Sequence, residues 1–229
     1  MASAWMYTLI PAAAAVVGAS FAAVRRPGPV AVSAVQHFAA GVVFAAAAGE
    51  ILPDLLHRNS LWMTLVGGAI GVAAMLALKL LERKTTGASG LIIVTGVDVF
   101  IDGMVLGIGF LAGQSAGLLL TIALTIEVLF LGLTVSMAFA EDIQSRIKPV
   151  LWTAALVVLL PLGALLSIPA SMLPQPIITG VFAFSLIALL YLVTEELLVE
   201  AHETPDRPWV TAMFFAGFLL LLLLEEAMK

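Results

Sequence analysis

Cysteine is absent from the 229 residues, which excludes disulfides, thiolate metal ligands and thiol catalysis. Charge is scarce too: 11% of residues are Asp, Glu, Lys or Arg, against 62% hydrophobic. A soluble domain of this size needs a charged surface that such a chain does not possess. Basic clusters are missing, so there is no electrostatic footprint for nucleic acid. Imidazole is rationed to three residues, His37, His57 and His202. Together with a mean hydropathy of +1.14, these shortages identify an all-α integral membrane protein. The net charge of −5 says little about partners, because loops and helix ends should hold most of the charges.

What is present is a series of apolar runs, each near the roughly 20 residues that a spanning helix needs. Cutting at charged or Pro/Gly-rich breaks predicts eight helices at 5–24, 30–56, 60–81, 91–113, 116–140, 149–168, 176–200 and 208–226. The connections ("RRPGP", "HRNS", "ERKTTGAS", "GQSA", "EDIQSRIK", "PASMLPQP", "HETPDRP") are short, so residues 1–229 read as one transmembrane domain. Met1–Tyr7 carries no Lys or Arg and the pair Arg25-Arg26 follows the apolar run, the reverse of a secretory leader. The first run therefore reads as a membrane helix with its N-terminus outside. On that reading Arg25, Arg26, Lys79, Arg83, Lys84, Arg146, Lys148 and Arg207 share the cytoplasmic side, and only Arg58 and Lys229 lie outside. Both termini then face out of a plasma (inner) membrane.

A weak internal echo accompanies this layout. "GEILPDLLH" (49–57) and "TEELLVEAH" (194–202) match at Glu50/Glu195, Leu52/Leu197 and His57/His202, in helices of opposite direction. Repeats of opposite orientation are a frequent transporter plan, with the substrate site between the halves.

The acids inside the apolar runs carry the chemistry. In "GVDVFIDGMVLG" (96–107) Asp98 and Asp102 stand four positions apart, on one helix face and about 6 Å apart along its axis. Glu127, in the following antiparallel helix, falls at a similar depth. Ionisable groups within a membrane are functional candidates by default. No Lys or Arg shares their level, so a mobile cation, protons or both must balance them. All-oxygen ligands suit hard ions such as Mg²⁺ or Mn²⁺, while zinc accepts carboxylate but prefers nitrogen or sulfur. Gly103, Gly107, Gly109, Gly113 and Gly132 suggest close helix approach, and Pro53 and Pro161 interrupt their helices.

At these residues the chain resembles the ZIP family of divalent-metal transporters. "HFAAGVVFAAAAGEILPD" (37–54) is similar to that family's second helix. "DVFIDG" (98–103) is similar to its fourth-helix motif His-Asn-x-x-(Asp/Glu)-Gly, and "EVLFLG" (127–132) to its fifth-helix motif (His/Gln)-(Glu/Asp/Asn)-x-Pro-Glu-Gly. The resemblance implies a ZIP-like bundle, with helices 1–3 and 6–8 as an inverted repeat around helices 4–5. It assigns the primary metal ligands to Asp98, Asp102 and Glu127. The family's second metal position falls on Val99 and Val128, which offer no ligand, and its shared glutamate on Leu131. Its His-rich loop between helices 3 and 4 is reduced to "ERKTTGASG".

The expected function is passive or proton-coupled transport of a divalent cation, zinc or another transition metal such as Mn, Fe or Cd, by an elevator or other alternating-access motion. Glu195 and His37 are candidate additional ligands, Glu195 being the expected inward-facing one of the pair Glu195-Glu196. Glu196, Glu200 and His202 resemble the family's cytosolic exit. Glu50, Asp54 and His57 are candidates for an outer vestibule, with a solvated helix end as the ordinary alternative. Expected partners are the lipid bilayer, the transported ion and a second copy of the chain in a homodimer; no prosthetic group and no nucleic acid are expected. An enzyme is not expected, since an intramembrane aspartyl hydrolase needs aspartates facing each other across a shared water, usually from different helices. The alternative is a ZIP-fold metal sensor or regulator that does not transport, or a transporter of another substrate.

Overall fold

Apolar runs bounded by proline, glycine and charge give eight long helices. A computed structural model describes residues 4–84, 87–142, 145, 147–205 and 207–228. Among the described residues eight helices are long and apolar enough to cross a membrane: α1 (Ala4–Val24), α2 (Pro29–His57), α3 (Leu61–Lys84), α4 (Gly90–Ala112), α5 (Gln114–Ala140), α6 (Ile147–Met172), α7 (Gln175–Ala201) and α8 (Pro208–Ala227). No strand occurs among the described residues. The helices match the expected runs to within a few residues. The larger differences are at α6, which runs on to Met172, and at α3, which continues through Glu82, Arg83 and Lys84 because these are good helix formers. Proline opens α2 and α8 within their first turn, where its missing N–H costs nothing.

Prolines and π turns mark where the helices depart from regularity. In α2 the Pro53 nitrogen cannot donate to the carbonyl four residues back, and the preceding stretch Ala47–Ile51 is wound as a π turn, closed by Leu52 N–H on Ala47 O. In α6 Pro161 coincides with a break at Val157–Val158, where Leu160 N–H donates to Val157 O over only three residues. A second π turn, Leu192–Leu197, lies in α7 without any proline. Gly113 is not a packing glycine: it turns the chain between α4 and α5 with φ 155°, a region open to glycine.

Four helix pairs form the most extensive interfaces: α1 with α5, α4 with α6, α2 with α8 and α3 with α7. Within each, glycine lets backbone meet backbone. Gly18 faces the Leu129 carbonyl and Gly132 that of Ala15; Gly163 faces Phe100 and Gly103 faces Leu160. Gly41 and Gly217 do the same across α2 and α8, against Phe214 and Phe38. Small residues of this kind are what helix association in lipid requires, because lipid tails are as apolar as leucine and give no hydrophobic drive. Contacts of α4 with α5 and of α1 with α6 join the first two pairs.

By alternation of direction, the ends bearing Arg25, Arg26, Lys79, Arg83, Lys84, Lys148 and Arg207 lie together, here called the basic end. Contacts between the start of α2 and the end of α7, such as Ser33 Oγ donating to Ala201 O (2.7 Å), agree with this. Arg146 and Lys229 lie outside the described residues.

Candidate metal centre

The one-turn spacing of Asp98 and Asp102 aims both carboxylates across α4 toward α5. There they meet Glu127. One ligand oxygen from each of the three lies within 4.8 Å of the others. Asp102 is 3% exposed and Glu127 1%. Asp102 Oδ2 and Glu127 Oε2 make no hydrogen bond within the protein. A charged group at the centre of a membrane helix costs on the order of 2.5–3.5 kcal/mol or more, so three together demand a compensating cation or protons. The donor set is oxygen only, which fits a hard or borderline divalent ion.

Packing holds this arrangement. Gly103 presses α4 onto the Leu160 carbonyl and Gly132 presses α5 onto Ala15, so each acid lies on a helix held by a close backbone contact nearby. Val99 and Val128 are both 0% exposed and pack with Ala15, Val157 and Leu160. The positions next to the acids are thus part of an apolar seam between α1, α4, α5 and α6.

Access comes from the basic end. A cavity of about 560 Å³ is lined there by Thr95, Asp98, Tyr191, Glu196 and Glu200, among others, so that Asp98 forms part of its wall. Asp102 and Glu127 lie deeper. A small adjoining space of about 20 Å³ connects Glu127 with Gln36, Glu196 and Glu200. At the opposite end a separate vestibule of about 420 Å³ is lined by Glu50, Asp54, His57 and Glu225.

The remaining sequence candidates divide sharply. Glu196, not Glu195, borders the space around Glu127. Glu195 lines the large cavity as well, with its carboxylate 3.7 Å from Lys79 Nζ; both glutamates lie in the π turn. Glu200 lines the large cavity and accepts a hydrogen bond from Gln36 Nε2 at 2.5 Å. His37 is not brought into the carboxylate group; its ring lies beside His202, centroids 5.0 Å apart. Glu50, Asp54 and His57 do share the far vestibule, but Asp54 is paired with Arg58 at 2.6 Å. Two residues escaped the sequence reading. Gln36 reaches Glu200 and both inner spaces, and its only signal was a polar side chain beside His37 on an apolar run. Glu225 reaches Gly49 from α8 and lines the far vestibule.

A scan against protein-family models finds no match to this chain, and a search of curated proteins finds none either.

Proposed function

We propose that the protein moves divalent cations across the membrane, with Asp98, Asp102 and Glu127 as the transient binding site. The observation that carries this reading is the convergence of three carboxylates, two with an unpartnered buried oxygen, beneath a cavity open to one end of the bundle. In this reading the ion is cargo. It enters or leaves by the basic end, which the excess of Lys and Arg assigns to the cytoplasm, with both termini outside a plasma (inner) membrane. Three carboxylates against a divalent ion leave an excess negative charge, which a co-transported proton balances.

The ZIP-like plan and its inverted repeat are part of the proposal, and several spacings support them. Asp98 and Glu127 are 29 residues apart, as are Val99 and Val128, and Gly103 and Gly132. Gly18 and Gly163 are 145 apart, as are their neighbours' partners Ala15 and Leu160. The two π turns begin 145 residues apart, at Ala47 and Leu192. Exchanging helices 1–3 with 6–8, and 4 with 5, turns α1·α5 into α6·α4 and α2·α8 into α7·α3, all of them principal interfaces. The same pairings divide the bundle into α1, α4, α5, α6 and α2, α3, α7, α8. In alternating access, the first group carries the acids past the second, whose Glu196, Glu200 and Gln36 line the inner route. The apolar seam at Val99 and Val128 supports a single ion position.

Flux of Zn²⁺, Mn²⁺, Fe²⁺, Cd²⁺ and Mg²⁺ into proteoliposomes tests the reading, with Asp102→Asn as comparison. The expected result is entry of at least one ion with the wild type and its loss in the variant. Absence of flux for every ion, in correctly folded protein, refutes transport and leaves metal binding without passage, the sensor reading.

A further inference from the structure

At the basic end, the charges of two touching helices stand without protein partners. Arg25 and Arg26 follow α1, where the backbone leaves the helix at Arg25 (φ −142°, ψ 113°), and Lys148 lies in the first turn of α6. All three side chains are exposed, and none forms an ion pair among the described residues. Lys79, at the same end, is instead satisfied by Glu195. With 15 acidic residues against 10 Lys and Arg, the chain has no shortage of acids to pair with them.

Below these charges the surface turns apolar at once. Val17, Phe21 and Val24 follow one another along a single exposed face of α1, and Val24 is 85% exposed. On α6, Leu151 and Trp152 stand three and four residues beyond Lys148, on its face, and both are exposed. The opposite faces are the packed ones, with Gly18, Ala19 and Ala22 buried on α1 and Pro149 and Thr153 on α6. The two helices are in contact with each other.

We propose that Arg25, Arg26 and Lys148 bind the headgroup of an anionic phospholipid in the leaflet at the basic end, with its acyl chains along the exposed faces of α1 and α6. Charge selects an anion, and guanidinium forks match phosphate oxygens in pairs. Depth selects a lipid: charges at the end of a span, with an indole one turn below, sit where headgroups meet hydrocarbon. A free phosphate or a soluble acidic protein would meet the charges and leave the apolar faces beneath them uncovered. A zwitterionic lipid meets both, but its own ammonium opposes the three cations. Both helices belong to the group that carries the acids, so under the transport reading a bound headgroup tethers that group to one leaflet. Lipid binding itself does not depend on that reading.

The test reconstitutes the full chain in vesicles with Trp152 as its sole indole (Trp5→Phe, Trp62→Phe, Trp209→Phe). Quenching by brominated phosphatidylglycerol is compared with quenching by brominated phosphatidylcholine. The expected result is a preference of at least about threefold for the anionic lipid. It falls toward one in added salt and on Arg25→Gln, Arg26→Gln and Lys148→Gln together. Equal quenching by both lipids, or a preference that survives the three substitutions, overturns the proposal. Displacement by inorganic phosphate too dilute to screen charge also overturns it, in favour of a free-phosphate site. A second chain keeps only Trp62, at the opposite end of the bundle. Its quenching is expected to ignore the three substitutions, and an equal loss there overturns a local site. Should the triple substitution fail to fold, Arg25→Gln and Lys148→Gln are measured singly, and two unchanged preferences overturn the proposal. Ion flux is read separately: lipid preference without flux refutes transport alone, and flux without lipid preference refutes this site alone.

Discussion

In α4 the hexapeptide 98–103 presents two carboxylates to the interior, whereas the hexapeptide 127–132 of α5 presents one, with Leu131 at the position corresponding to Asp102. Both segments end in a glycine that meets a neighbouring carbonyl, Gly103 against Leu160 and Gly132 against Ala15. Both also bury a valine in the same apolar seam. Their backbone surroundings are therefore alike, and the difference in the number of carboxylates lies in one side chain. Asp102 is 3% exposed with an oxygen lacking any protein partner; Leu131 borders the large cavity and packs against its neighbours. Matched helices thus make an unmatched site, in which α4 supplies most of the charge.

That inequality can be broken or sharpened. Making α4 like α5 by Asp102→Leu has the largest expected effect: metal affinity measured by calorimetry falls at least about 100-fold, because a direct ligand outweighs the 10–100-fold contributed by supporting groups. Next comes the glycine that the two segments share. In Gly103→Val the new side chain meets the Leu160 carbonyl, and overpacking of this kind costs about 1–3 kcal/mol, read as a lowered unfolding temperature. Gly28→Ala, with nothing near the added carbon, is the matching control and leaves that temperature unchanged. Making α5 like α4 by Leu131→Glu adds a carboxylate at the cavity wall; about tenfold tighter metal binding is expected, or about 1.4 kcal/mol. The smallest effect belongs to Lys79→Ala. Its pair with Glu195 is partly solvated, so unfolding stability changes by about 0.2–1 kcal/mol while metal affinity stays as it was.

The helices were legible because membrane spans announce themselves by length and apolarity alone, and every backbone group in them is satisfied locally. The triad was legible for a related reason. Asp98 and Asp102 share a face by helical period, and Glu127 shares their depth by antiparallel connection. Residues brought in by more distant helices were harder to see. Gln36 and Glu200 are 164 positions apart, and nothing in either segment announces the other. Glu195 and Glu196 both line the large cavity, but only Glu196 reaches the space beside Glu127, and the π turn that holds them is not contained in a 3.6-residue period. His37 was a candidate additional metal ligand beside the acids; its ring is hydrogen-bonded to Ser33 O and meets His202 across the α2–α7 contact.

The sequence by itself determined that the chain is helical with eight spans apolar enough for a membrane, that its buried ionisable groups are acidic, and that no Lys or Arg falls at their level in the spans. These follow from composition and local periodicity, which need no knowledge of neighbours. Only the tertiary structure decided which glycines face which carbonyls, which end of the bundle opens to the acids, and which of Glu195 and Glu196 reaches the space beside Glu127. Those outcomes depend on helix rotation and pairing, and in an apolar solvent they are set by close packing between segments rather than by any pattern within one of them.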